Sequence, residues 1–206
     1  MILSPKPLHS IVSCVLLDQQ TDEKKQYYLN TEMCKQIISW SNKLTLESGE
    51  TVGDKEKLTN KTKEREVNQY SIPLNEETAW LYERFLKAAK FANHEAAWNF
   101  DISGFHNPLL LLHYEGNYQH HYDWHLDIVG GKESGRKVSM SVQLSDSEDY
   151  EGGELEIKTS NKAMSTTREQ GAIALFPSYI LHRVKPVLSG ERWCVVGWIQ
   201  GQQHFR

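Results

Sequence analysis

The densest group of potential metal ligands lies in the segment HYEGNYQHHYDWHLD, which runs from His113 to Asp127. Residues i and i+2 of an extended strand point to the same face, so His125 and Asp127 are expected to project together. An imidazole and a carboxylate on one face supply two members of a 2-His-1-carboxylate set. Such a set binds Fe(II) and leaves coordination positions open for other ligands.

The third ligand is expected to be a histidine from a strand that is remote in the sequence. His182 is the one downstream histidine inside a predicted strand, in the segment FPSYILHRVKP. His204 lies in the terminal tail, and three other histidines lie outside the β-rich part of the chain, namely His9, His94 and His106. His182 is therefore the candidate.

Arg192 follows His182 by ten residues and lies in the next predicted strand. A guanidinium is a rigid fork of donors that matches a carboxylate in a bidentate manner. We expect a hairpin from His182 to Arg192 that holds this fork some distance behind the metal. A dicarboxylate could then chelate iron with one end and reach Arg192 with the other.

Five segments resemble the core of the Fe(II)/2-oxoglutarate dioxygenases, and most closely the prolyl-4-hydroxylase-like and PKHD-type hydroxylases. These segments are YDWHLD, RKVSMSVQLSD, YEGGELEI, GAIALFPSYILHRVKPVLSGER and VGWIQG. The resemblance implies an α+β, mostly β fold, in which N-terminal helices support a double-stranded β-helix of the jelly-roll or cupin-like kind.

The same resemblance implies roles for particular residues. It makes His125, Asp127 and His182 the iron ligands and Arg192 the residue that binds the distal carboxylate of 2-oxoglutarate. Four further residues would line the cosubstrate pocket: Tyr114 as the better match for a supporting tyrosine, Tyr122 as the second, Leu155 and Trp198. Some relatives carry a tyrosine where this chain has Gln143.

Other residues near these motifs favour structural interpretations. Strand alternation puts His121 on the face of His125 and His120 on the opposite face, so only His121 is a candidate for shaping the pocket. His113 is expected to be a packed strand residue. The pair Gly152-Gly153 predicts a tight turn into a strand.

The remaining sequence predicts one domain over residues 1–206. Residues 1–107 form a helical and strand support, and residues 108–206 form the β core. The support contains a first strand within 11–17, a capped helix over about 31–43, a polar mobile loop at about 45–69 that is either a connection or a lid, and a second helix from near Asn75. The core contains apolar or alternating runs at 108–114, 120–128, 136–145, 153–158, 172–177, 180–187 and 192–200, a spacing typical of an antiparallel sandwich or barrel.

Composition and charge exclude several classes of protein. The apolar run Ile11 to Leu17 is too short to span a membrane and lacks a signal-peptide cleavage pattern, so we expect a cytoplasmic protein. Three dispersed cysteines argue against a thiolate zinc site or a disulfide framework. A net charge of −4 disfavours nucleic acid as a partner, and so does Trp198, because nucleic-acid demethylases of the family carry a second arginine there.

These observations predict a hydroxylase that uses Fe(II), 2-oxoglutarate and O2, with ascorbate as a supporting reductant. Asp127 argues against the halogenases of the family, and Arg192 against collagen-like substrates, whose hydroxylases often carry lysine at that position. The expected substrate is a peptidyl prolyl or other peptidyl residue, and the alternative is a free small molecule. A non-catalytic cupin-like binding module is a further alternative, but it would not need an arginine such as Arg192. A zinc hydrolase is disfavoured because this sequence contains no HExxH motif. Nothing in the sequence indicates an oligomeric state.

Overall fold

A computed structural model of the protein describes residues 14–19, 22–48, 65–128, 134–159 and 161–202. The helices of this part are α1 (Asp22–Lys25), α2 (Thr31–Ser39) and α3 (Ala79–Glu95). The strands are β1 (Val15–Leu17), β2 (Leu46–Ser48), β3 (Arg65–Glu66), β4 (Asn68–Ile72), β5 (Gly104–Phe105), β6 (Leu109–Glu115), β7 (His121–His125), β8 (Arg136–Gln143), β9 (Tyr150–Gly152), β10 (Leu155–Lys158), β11 (Ala163–Ser165), β12 (Ile173–Pro177), β13 (Leu181–Val184) and β14 (Val187–Gln200).

The strands form two antiparallel sheets. The larger sheet has the order β1-β12-β8-β14-β6-β4-β2, with β5 and β9 also paired to β14, and the smaller sheet has the order β11-β10-β13-β7-β3. Apolar residues of both sheets meet in one cluster that contains Leu112, Leu155, Phe176 and Val184. This space between the sheets is called the interior below. The architecture is a double-stranded β-helix within an α+β, mostly β fold, as predicted.

The helices cover the outer face of the larger sheet. Ile37 of α2 and Leu81 and Phe85 of α3 are fully buried in a second cluster with Leu111 and Val195 of the sheet. Helix α2 begins where predicted, because the side chain of its N-cap residue Asn30 accepts a hydrogen bond from the backbone N–H of Met33.

Helix α3 begins at Ala79 rather than near Asn75. Asn75 and Thr78 form a local turn in which each backbone N–H donates to the other residue's side-chain oxygen. These reciprocal bonds have the pattern of a capping box, and the N–H of Ala79 donates to the carbonyl oxygen of Asn75 over 2.8 Å, so a turn at Asn75 leads into the helix. No helix in the described ranges is long and apolar enough to cross a membrane.

The predicted loop at 45–69 is wrong at both ends. Strand β2 occupies its start, and strands β3 and β4 occupy its end, with Val67 buried in the interior cluster. Residues 49–64 lie outside the described part, and so does the lid interpretation that depended on them.

The first strand is confirmed at Val15–Leu17, where it pairs with β12.

The predicted hairpin from His182 to Arg192 is also wrong. Strand β13, which carries His182, pairs with β10 and β7 of the smaller sheet. Strand β14, which carries Arg192, pairs with strands of the larger sheet. The chain crosses from one sheet to the other at Lys185 and Pro186, so His182 and Arg192 face each other from opposite walls of the interior.

Candidate metal centre and cosubstrate pocket

Two histidines and one aspartate converge at one end of the interior. His125 ends β7 and lies directly opposite His182 of β13, and Asp127 follows β7 by two residues. The Nε2 atom of His125 is 3.7 Å from Oδ1 of Asp127, and the Nε2 atom of His182 is 3.4 Å from Oδ2. The ligand atoms of the three residues all lie within 4.8 Å of one another, which is a spacing that one metal ion can bridge.

Backbone carbonyls fix the tautomers of both histidines. Nδ1 of His125 lies 2.7 Å from the carbonyl oxygen of Asp123, and Nδ1 of His182 lies 2.9 Å from that of Ile180. A carbonyl oxygen only accepts, so Nδ1 must carry the hydrogen in each ring. The lone pair is then on Nε2, the atom that faces Asp127. This arrangement is the one that a metal-binding histidine requires.

The side chain of Asp127 is buried but well supplied with donors. The hydroxyl of Ser139 donates to Oδ2 over 2.6 Å, and the indole N–H of Trp198 also donates to the carboxylate. Burial by itself raises the pKa of this carboxyl, but His182, His125 and the two donors outweigh it, so that the pKa lies below its ordinary value. The carboxylate is therefore ionised, as a metal ligand must be.

The imidazole of His125 is kept neutral. Its side chain is 17% exposed, and burial, followed by the neighbouring His182, lowers its pKa to about 4. A histidine must be neutral to bind a metal, so no proton has to be displaced near neutral pH. The donor set as a whole fits Fe(II), because two imidazoles and one carboxylate are the ligands of non-haem iron sites that keep open positions.

A β-bulge decides which residues accompany His125 on the interior face. His125 pairs with His182, but Tyr122 pairs with Val184, so three residues of β7 span two of β13. The extra residue breaks the alternation. Tyr122 therefore shares the face of His125 and stacks on its ring at 3.5 Å between centroids. His121 lies on the opposite face, so its predicted position beside the pocket is wrong.

Arg192 lies in the interior on the facing sheet. It is 3% exposed and pairs with Tyr114 across β14 and β6, with its guanidinium carbon 5.4 Å from the centre of the Tyr114 ring. Its Nη1 donates to Sγ of Cys194 over 3.5 Å, and it also forms a hydrogen bond with Tyr150. No carboxylate in the described ranges lies within 4.0 Å of it. A buried guanidinium without such a partner suits an anionic ligand.

Tyr150 was not singled out from the sequence, although it forms a hydrogen bond with the buried guanidinium of Arg192. Its hydroxyl accepts a hydrogen bond from Nε2 of Gln143 over 3.0 Å, and its side chain also forms a hydrogen bond with Arg192. A small cavity beside Arg192 is lined by Gln143, Leu155 and five smaller residues: Ser141, Thr166, Thr167, Ala172 and Ala174. The tyrosine hydroxyl beside Arg192 is therefore supplied from β9.

The predicted turn at Gly152-Gly153 makes room for this arrangement. Both residues have positive φ, at 74° and 65°. A Cβ atom on Gly153 would lie 2.8 Å from a methyl group of Val187 and 3.0 Å from Cδ of Arg192. The second glycine is therefore required both for the turn and for the path of the arginine side chain.

The remaining predicted residues are distributed between the two faces. Leu155 lines the cavity at Arg192, and Trp198 contacts Asp127. His113 is a packed strand residue on the other face, where it stacks on Trp193 at 3.8 Å. Ser139 was missed, although its signal was available: residues 139, 141 and 143 are polar and alternate with apolar residues along one strand.

The fold and the donor set together define a double-stranded β-helix protein with a 2-His-1-carboxylate centre. Residues 109–200 match the family model of the 2OG-Fe(II) oxygenase superfamily. Over these residues the chain is similar to the 2OG-Fe(II) oxygenase superfamily.

Curated relatives are similar to part of the chain. A PKHD-type hydroxylase from Hyphomonas neptunium is 44% identical over 97 residues, which is 45% of this chain and 42% of the relative. A PKHD-type hydroxylase from Synechococcus sp. strain CC9605 is 42% identical over 80 residues, which is 38% of this chain and 36% of the relative. The matched segments thus span about two fifths of the length of these relatives.

Solved structures are similar over nearly the whole chain. A Pseudomonas putida prolyl-4-hydroxylase has a TM-score of 0.66 at 16% identity and covers 93% of this chain and 94% of its own. A Trichoplax adhaerens prolyl hydroxylase, solved with a hypoxia inducible factor peptide fragment, has a TM-score of 0.69 at 18% identity. The match covers 92% of this chain and 84% of the neighbour. At these identities the likeness establishes the fold.

Proposed function

We propose that the protein is an Fe(II)- and 2-oxoglutarate-dependent dioxygenase that hydroxylates an unactivated C–H bond. One observation carries the proposal: a 2-His-1-carboxylate set and a buried, carboxylate-free guanidinium share one interior. Bound iron, 2-oxoglutarate and O2 supply the chemistry, in which the cosubstrate is decarboxylated to succinate and CO2 while one oxygen atom enters the substrate. Ascorbate would keep the iron reduced.

Each residue has a definite part in this proposal. The Nε2 atoms of His125 and His182 and the carboxylate of Asp127 hold the metal. Ser139 and Trp198 fix the orientation of the carboxylate through their donated hydrogen bonds. Such supporting contacts commonly change metal affinity by about 10–100-fold when they are removed.

The cosubstrate would lie between the two walls of the interior. Arg192 binds its distal carboxylate as a bidentate fork, and Tyr150 adds its hydroxyl beside the guanidinium. Tyr114 and Leu155 form apolar walls around the carbon chain, because both side chains are buried in the interior cluster. Tyr122 packs against His125 and keeps that ligand in place.

We propose a peptidyl prolyl or other peptidyl residue as the substrate. The solved neighbour that holds a peptide fragment supports this choice, and so does the similarity to a prolyl-4-hydroxylase. Leu126, which lies between His125 and Asp127 in the sequence, and Tyr179, three residues before His182, are 41% and 38% exposed and offer contacts for a peptide. A free small molecule is the alternative. We further propose that residues 1–206 act as one domain.

The decisive experiment supplies purified protein with Fe(II), ascorbate and 2-oxoglutarate and follows succinate and product mass. A peptide library and a metabolite extract are tested separately for a product that gains the mass of one oxygen atom. Asp127→Ala should abolish succinate formation. Arg183→Ala is the matched control, because Arg183 pairs with Glu156 at 2.7 Å and alternates with His182, so that it points away from the metal.

The outcomes separate the candidate functions. Product in the peptide library supports the proposal, and product only in the metabolite extract identifies a small-molecule hydroxylase. Failure to form succinate under either condition, with Fe(II) bound, would mean that the chain is a non-catalytic metal-binding module.

A further inference from the structure

Arg65, the first residue of β3, brings a second guanidinium to the metal end of the interior. It pairs with Tyr122 across β3 and β7, and its guanidinium carbon lies 5.0 Å from the centre of the Tyr122 ring. Tyr122 in turn stacks on His125. Guanidinium, phenol and imidazole thus form three successive layers that lead from the edge of the sheet to a metal ligand.

The guanidinium of Arg65 has few hydrogen-bond partners among the described residues. Its Nη2 donates to the neutral side chain of Gln69 over 2.8 Å, while its Nε is sealed from solvent without a hydrogen-bond partner. No carboxylate of the described part lies within 4.0 Å of Arg65. Desolvating an unpaired charge is costly, and an anionic ligand that binds there removes the cost.

Two other arginines have carboxylate partners, and Arg136 of β8 stacks on Trp198 at 3.9 Å and donates to the backbone carbonyl oxygen of Asp127. Arg183 forms an ion pair with Glu156 at 2.7 Å, and Arg168 lies 4.0 Å from Glu154. Arg65 and Arg192 differ from Arg168 and Arg183, because both lie beside the interior and no carboxylate of the described ranges lies within 4.0 Å of either. Burial raises the pKa of Tyr114, and the charges of Arg192 and then Arg65 partly offset it, so both guanidinium groups act on the same interior residue.

The two guanidinium groups differ in depth. Arg192 is 3% exposed, whereas Arg65 is only partly buried, next to the partly exposed His125. In the proposed function, 2-oxoglutarate uses its distal carboxylate at Arg192 and its other carboxylate, with the adjacent oxo group, at the metal. The cosubstrate then has no anionic group left for Arg65.

We propose that Arg65 is a second carboxylate-binding residue and that it receives a carboxylate of the substrate. The inference rests on the proposed function and deepens it, because it defines a substrate class: a free amino acid, a peptide C-terminus or an acidic side chain close to the carbon that is oxidised. The stacked Tyr122 sets the direction of the guanidinium and so fixes where this carboxylate lies relative to the metal.

The test uses Arg65→Gln, the charge-preserving Arg65→Lys, and Arg183→Gln as the control on the outer face. Calorimetric titration of the Mn(II)-loaded protein with 2-oxoglutarate is the first measurement. Arg65→Gln should bind the cosubstrate as the wild type does, whereas Arg192→Ala should bind it at least about tenfold more weakly. A large loss in Arg65→Gln would show that Arg65 serves the cosubstrate and would overturn the proposal.

The second measurement compares carboxylate probes with their amides. L-proline and a proline-terminated peptide, each as free acid and as amide, are tested for stabilising the Mn(II)–2-oxoglutarate protein against heat. The wild type should prefer the acids by about tenfold or more in affinity, and Arg65→Gln should lose this preference while Arg65→Lys keeps part of it. An equal response of the wild type to acids and amides, or an unchanged preference in Arg65→Gln, would refute the proposal.

Failure of the proposed function would look different. In that case the wild type would form no succinate with Fe(II) and 2-oxoglutarate, but the acid-over-amide preference in the heat-stability measurement could still be recorded. If only Arg65→Gln then lost that preference, Arg65 would still be a carboxylate-binding residue, in a protein that does not oxidise a substrate.

Discussion

The rings of Tyr122 and His125 lie parallel, 3.5 Å apart between centroids and 12° apart in plane, although the residues are three apart in one strand. Regular alternation would put them on opposite faces. The bulge in β7 removes that constraint and turns a surface position into a wall of the metal site. The same bulge carries Asp123, whose carbonyl oxygen fixes the tautomer of His125.

Ser139→Ala should weaken metal binding. The hydroxyl of Ser139 donates over 2.6 Å to Asp127, so its removal leaves the ligand with fewer hydrogen bonds and more freedom to rotate. We expect the dissociation constant for Fe(II) or Mn(II) to rise by about 10–100-fold. Ser141→Ala is the control, because Ser141 lies one step further along the same strand face, by the cavity at Arg192. Equal effects of the two changes would contradict the role given to Ser139.

Tyr150→Phe should raise the KM for 2-oxoglutarate and leave metal affinity unchanged. The loss of one hydrogen bond beside Arg192 is worth about 0.5–1.5 kcal/mol, or about a two- to tenfold change. Arg192→Ala should have a larger effect, of about 2–5 kcal/mol, because it leaves a carboxylate without its charged partner. Tyr70→Phe on the outer face serves as the control, since Tyr70 stacks on Trp193 there. An unchanged KM in Tyr150→Phe would show that the Tyr150 hydroxyl does not contribute to binding 2-oxoglutarate.

Residue types and motifs were sufficient to predict that these two histidines and one aspartate come together. His125, Asp127 and His182 stand out because imidazole and carboxylate side chains sit at strand positions within motifs that resemble a known family. Strand alternation could not predict which residues of β7 accompany His125 on the interior face, since it assumes that no residue is inserted and therefore favoured His121 over His120. Tyr122 was expected near the cosubstrate only from the family resemblance. The position of Tyr150 depends on the pairing of β9 with β14, which joins distant parts of the chain.

The wrong hairpin has a related cause. His182 and Arg192 are ten residues apart with a proline between them, and that spacing fits a hairpin as well as a crossing between sheets. Which one forms depends on where the apolar faces of β13 and β14 are buried, and this is a property of the whole sandwich. The crossing separates the cluster of His125, Asp127 and His182 from the guanidinium of Arg192 by the width of the interior, which leaves space for a ligand between them.

Gly153→Ala should impair cosubstrate binding as well as stability. Gly104→Ala is a matched control, because Gly104 also has positive φ but nothing lies within 4 Å of an added Cβ. Both changes force a side chain into a disfavoured backbone conformation and should cost about 1–3 kcal/mol of unfolding free energy. The added methyl at position 153 also meets Arg192, so Gly153→Ala alone should raise the KM for 2-oxoglutarate. Equal KM values in the two variants would show that the turn affects stability only.

His113→Phe should reduce the loss of stability that accompanies acidification. Burial, opposed by Glu115 and Glu191, lowers the pKa of His113, which stacks on Trp193. Because the folded state holds this imidazole neutral, the unfolded state binds the extra proton first, and stability is lost as pH falls below the ordinary histidine value of about 6.5. The unfolding free energy of the metal-free protein, measured by urea titration between pH 5 and 8, should therefore fall less steeply in His113→Phe. His94→Gln is the control, since the side chain of His94 is 88% exposed. Parallel pH profiles for the wild type and His113→Phe would show that His113 does not contribute to the acid sensitivity of the fold.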